Sequence, residues 1–177
     1  MPVNGDVFLE PNPHGKGFIR GVLPDIIEWR THSDKVHTRG YLSGYVYEDT
    51  VWHQNGVLHS GVKITPYSDA YVLGYERRSL VDPLSDNEIE CMIRFGQWQH
   101  DKGFPYNDIM LVAFLAVYPL RGWLEKERWV PFKKSVDFVC SSFWAEMLGF
   151  VGRQVKPGID PSEIVPGDFD TSPLYKV

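Results

Sequence analysis

Val36-His-Thr-Arg-Gly-Tyr-Leu-Ser-Gly-Tyr-Val-Tyr47 decides how this chain is read. Val36, Thr38, Gly40, Leu42, Gly44 and Val46 take one parity; His37, Arg39, Tyr41, Ser43, Tyr45 and Tyr47 take the other. In extended backbone the two parities point to opposite sides. The alternation from 36 to 47 therefore predicts strand, with a small, smooth face for close packing. The second face is polar and aromatic, suited to a cleft or to solvent.

Downstream, Val51-Trp-His-Gln-Asn-Gly-Val-Leu-His-Ser60 carries a hairpin signal. Asn55-Gly56 supplies the two positive-φ positions of a type I′ turn. That turn sets Gln54 opposite Val57, His53 opposite Leu58 and Trp52 opposite His59, and sends His53 and His59 to opposite sides of the sheet. Val62–Thr65 and Tyr71–Arg77 extend the strand pattern, so the first half, to about Arg78, reads as strands.

The second half changes period. Ser85-Asp-Asn-Glu88 is a capping box, and Ile89, Met92, Ile93 and Gly96 follow at helical spacing. Asp108 opens an apolar helix over Ile109–Val117, stopped by Pro119, and a third helix is expected from near Val139 to about Leu148, ended by Gly149. From Gly158 the tail is punctuated by Pro161, Pro166 and Pro173, which predicts an extended wrap over the surface. Strands followed by helices indicate α+β, as one domain over 1–177.

The 177 residues are 43 % hydrophobic and include 10 Phe, 6 Trp and 9 Tyr, enough for one core and incompatible with disorder. A net charge of −5 from 18 basic and 23 acidic residues argues against a phosphate-tracking nucleic-acid binder. The longest apolar run, Ile109–Tyr118, is about half of what a bilayer requires, so no transmembrane segment is expected. With no basic, apolar leader and two cysteines, a reduced, cytoplasmic site of synthesis is expected.

Two readings are open to Cys140. It is either a small buried hydrophobe, or a thiol at a helix N-terminus, where free N–H groups and the macrodipole favour thiolate and can hold an oxyanion. Cys91, among apolar neighbours inside a helix, reads as structural. A nucleophilic cysteine needs a base. His14, His32 and His100 fall in loops or at a helix end and read as surface residues, whereas His37 shares a strand face with Arg39 and Tyr41. His53, on the next strand, is the candidate for the third group that orients the imidazole. The histidines diverge, and no HExxH, CxxC, P-loop, GxGxxG or GxSxG pattern is present, so neither a metal nor a cofactor is expected.

In order, these residues resemble the circularly permuted NlpC-type papain-like cysteine hydrolases, the YiiX-like group. The resemblance runs through Gly5-Asp6-Val7, Ile27-Glu-Trp-Arg-Thr31-His-Ser33, His37 and Val51-Trp-His53-Gln. It continues through Gly103-Phe-Pro105-Tyr106-Asn107, Cys140-Ser141 and Val165-Pro-Gly-Asp168. It implies a papain-like fold, an antiparallel sheet or barrel packed on helices, with Cys140 as nucleophile, His37 as base and His53 third, or Gln54 if His53 points away. The family often has Glu at that third position. The activity implied is hydrolysis of an amide, ester or thioester through an acyl-cysteine intermediate. The substrate would be a cell-wall peptide (peptidoglycan) or a lipid acyl group. The alternative is a papain-like binding or assembly module with little turnover, virion-associated if the gene belongs to a phage.

Overall fold

The computed structural model describes residues 1–13, 23–70, 72–103 and 140–176. Its centre is a six-stranded antiparallel sheet. The strands are β1 (Val7–Pro11), β2 (Lys35–Leu42), β3 (Tyr45–Gln54), β4 (Val57–Pro66), β5 (Glu76–Leu80) and β6 (Tyr175–Lys176), in spatial order β4-β3-β2-β1-β5-β6. The described helices are α1 (Leu23–Thr31), α2 (Asp86–Lys102) and α3 (Cys140–Phe150). The coarse expectation of an α+β chain holds.

The alternation at 36–47 belongs to two strands rather than one. β2 stops at Leu42, and Ser43 and Gly44 both adopt positive φ (48° and 87°), which makes a second two-residue hairpin. Leu42 then pairs with Tyr45 and Gly40 with Tyr47, so the parity inverts after the turn. The smooth face of β2 is nonetheless real. Thr38, Gly40 and Leu42 are buried, and a Cβ on Gly40 would stand 2.1 Å from the Trp144 ring of α3.

The Asn55-Gly56 hairpin has the expected register, with Gln54↔Val57, His53↔Leu58 and Trp52↔His59. Both turn residues have positive φ, and the Trp52 and His59 rings stack at 5.4 Å. The strand expected over Tyr71–Arg77 starts only at Glu76. Helix α1 interrupts the expected run of strands; Leu23-Pro24-Asp25 carried its signal, with proline and an acid in the first turn.

Helix α2 has the Ser85–Glu88 capping box and ends on Gly103 at φ 63°. Helix α3 is described from Cys140 and continues past Gly149 to Phe150, and Gly152 takes the left-handed conformation. The helix expected over Ile109–Val117 lies outside the described residues.

The tail is more than a surface wrap. Ile164, Val165, Phe169 and Tyr175 are buried, and the Tyr175 hydroxyl accepts from Trp144 Nε1 at 3.1 Å. Proline-started 3-10 turns at Pro161–Glu163 and Pro166–Phe169 lay these side chains beneath α3, and β6 pairs with β5. The core is therefore closed from both ends of the chain. Val7, Leu9 and Leu42 of the sheet, Phe143, Trp144, Met147 and Leu148 of α3, and Phe169 of the tail form one cluster.

Candidate active site

The ladder between β1 and β2 slips by one residue: Glu10 faces His37, but Pro11 faces Lys35, so Val36 is the extra residue of a β-bulge. Bulges bend a strand and re-aim the neighbouring side chain. Here that side chain is His37, whose Nε2 lies 3.0 Å from Glu48 Oε2 on β3. Cys140 of α3 lies close enough to His37 to raise its proton affinity. Cys140, His37 and Glu48 come from three elements, α3, β2 and β3.

Burial pulls His37 toward its neutral form, but the charge and hydrogen bond of Cys140, with those of Glu48, outweigh it and push the imidazole up to about 10. Burial likewise works against the Glu48 carboxylate. Its bonds to His37, with Arg39 and Lys63 nearby, win and hold it down to about 2. Arg39 Nε approaches the same Glu48 oxygen at 2.7 Å. The site is an imidazolium held against a buried carboxylate, in an interior where such interactions are strong.

Cys140 is only 6 % exposed, and its neighbourhood includes the His37 imidazole, on which it acts electrostatically. Cys140 is the first described residue of α3; where a helix begins, its leading N–H groups have no intrahelical acceptor and are suited to a developing oxyanion. Ser141, next in line, is buried and donates to Ile164 O at 2.6 Å, which ties the helix start to the tail.

His37 and Cys140, about a hundred residues apart in the chain, are brought together. The third position is corrected. Along β3, His53 lies five residues beyond Glu48, roughly 16 Å of extended strand, and its side chain lies outside the described residues. Gln54 is farther still and exposed. Glu48 takes the orienting role, and the sequence held the signal for it. Once Ser43-Gly44 is read as a turn, Leu42 faces Tyr45, and counting back puts Arg39 opposite Glu48, beside His37.

His32 and His100 are exposed, as expected, and His14 lies outside the described residues. Cys91 sits half-buried within α2. Two other fragments of the motif series meet: a Cβ on Gly167 would stand 2.3 Å from Ser33 Oγ. Asp168 caps its own 3-10 turn, accepting from Val165 N at 3.0 Å and from Lys156 Nζ at 2.5 Å. Gly5-Asp6-Val7 is buried, with Asp6 Oδ2 accepting from Val3 N at 2.9 Å. The segment Phe104-Pro105-Tyr106-Asn107 lies outside the described residues. No protein-family model matches the chain, and no curated protein matches it significantly. Among the described residues no helix is long and apolar enough to cross a membrane.

Proposed function

We propose that the protein is a cysteine hydrolase of permuted papain-like type. The single observation that supports this reading is the His37 imidazole, bound to the Glu48 carboxylate and held charged by it and by Cys140, the first described residue of α3. With the Cys140 proton already resting on His37, the thiolate attacks an amide, ester or thioester carbonyl. Helix-terminal N–H groups hold the oxyanion. As the tetrahedral intermediate collapses, the imidazolium gives its proton to the leaving group, and water, deprotonated by His37, releases the acid and restores the thiol. Glu48 keeps the ring oriented and compensates its positive charge. It is also the acidic third residue that the resemblance to the YiiX-like group implies. The alternative of a non-catalytic binding module takes its force from a non-acidic third residue, and Glu48 weakens that argument. Cell-wall peptides and lipid acyl groups are the substrate classes this reading carries.

The test uses an iodoacetamide titration resolved by peptide mass, so that Cys91 serves as internal reference. Cys140 is expected to alkylate well below the ordinary thiol range near pH 8.5, and to lose that advantage in His37→Ala. A p-nitrophenyl acyl ester should leave its acyl group on Cys140 and not on Cys91. Cys140 labelling no faster than Cys91 at acid pH, with no acyl adduct, would refute the reading.

A further inference from the structure

We propose that Arg39 is a positioning residue of this site, holding the Glu48 carboxylate charged and aimed at the imidazole. The inference rests on the catalytic reading above and adds a residue to it. One oxygen, Glu48 Oε2, lies 3.0 Å from His37 Nε2 and forms an ion pair with Arg39 at 2.7 Å from its Nε. The carboxylate is 7 % exposed, and the imidazole and guanidinium are each 16 % exposed. A carboxylate this deep needs partners to stay ionised.

Arg39 is itself held. Its guanidinium carbon lies 4.7 Å from the centre of the Tyr75 ring, so the group rests on the aromatic face while its edge reaches Glu48. The Tyr75 hydroxyl donates to Glu10 Oε2, and Glu10 is the ladder partner of His37 across β1 and β2. His37, Glu48, Arg39, Tyr75 and Glu10 thus close a ring of contacts drawn from β1, β2, β3 and the loop before β5. A planar fork on an aromatic face can do this; a lysine ammonium supplies the charge without the plane. The groups that bear on Glu48 are His37 and Arg39 of β2, Lys63 of β4 and Tyr75, with Cys140 of α3 acting through the imidazole. Lys63 remains when Arg39 is removed, so the variant tests aim as well as charge.

Two effects oppose each other in Arg39→Met. Losing a nearby cation would by itself favour the imidazolium, whereas releasing Glu48 from its aim disfavours it. Positioning requires the second to win. The measurement is an NMR titration of the His37 ring in the full chain, its signal assigned by its absence in His37→Gln. In wild type the imidazolium should persist far above the ordinary histidine range. Arg39→Met should bring its loss down by about one pH unit, about tenfold in the imidazolium equilibrium. Glu48→Gln should bring it down further, and Arg39→Lys should recover part of the change. Should Arg39→Met not fold, Arg39→Gln is judged by the same criterion. An Arg39→Met titration that is unmoved or displaced upward overturns the inference while leaving the catalytic reading intact. A wild-type His37 that titrates as an ordinary histidine overturns both.

Discussion

At the scale of residues, the chemistry depends on how a buried negative charge is kept. Glu48 is held down to about 2 from an ordinary 4.5 against the pull of burial, so its contribution to stability is present above about pH 4.5 and lost as the pH falls toward 2. Wild type should lose stability across that window, and Glu48→Gln should remove this part of the acid dependence in a denaturant titration repeated at each pH. The same variant keeps an acceptor for the ring but not the charge. Its turnover should fall about a hundredfold, while Cys140 remains alkylatable. Cys140 and His37 were legible as candidates because a helix signal near Val139 and an alternating strand are local signals. The third residue was not, because it depends on the register between two strands. Register is set by a turn, and Ser43-Gly44 hides inside an unbroken alternation of side chains.

Between elements, one contact fixes how α3 lies on the sheet. Gly40 has no side chain where the Trp144 ring sits, and a methyl group there would meet it at 2.1 Å. Gly40→Ala should therefore cost about 1–3 kcal/mol through overpacking, visible as a lower denaturation midpoint with an unchanged slope. Because α3 carries Cys140, the same variant should also slow acylation of the thiol. Small residues on one face of β2 announced close packing from sequence alone, and the structure identifies the partner. The Asn55-Gly56 turn was equally legible, since few dipeptides favour positive φ twice. Helix α1 was missed because the surrounding strand signals were allowed to override its proline and aspartate.

For the molecule as a whole, the tail is structural material rather than covering. Prolines rule out regular helix and strand interior, which made the segment from Gly158 read as peripheral. Yet the short turns they start deliver Ile164 and Phe169 into the core, and Ser172 Oγ donates to Val155 O at 2.6 Å. Phe169 is fully buried, so Phe169→Ala should cost about 3–5 kcal/mol. In thermal unfolding the sheet and the nucleophile's helix should melt together at a lower temperature, because both rest on the same cluster. A separate early transition confined to the tail would contradict this account.

The bulge at Val36 has an electrostatic consequence. In a regular strand Lys35 and His37 would share a face, and an ammonium two positions away would discourage the imidazole from holding its proton. The extra residue breaks that phase. Lys35 Nζ turns instead to Asp34 at 2.8 Å and Glu76 at 2.7 Å, which quench it, while Arg78 carries the second oxygen of Glu76 onward to Asp170. One inserted residue thus turns Lys35 away from the imidazole and gives that cation to anchoring the last turn of the tail.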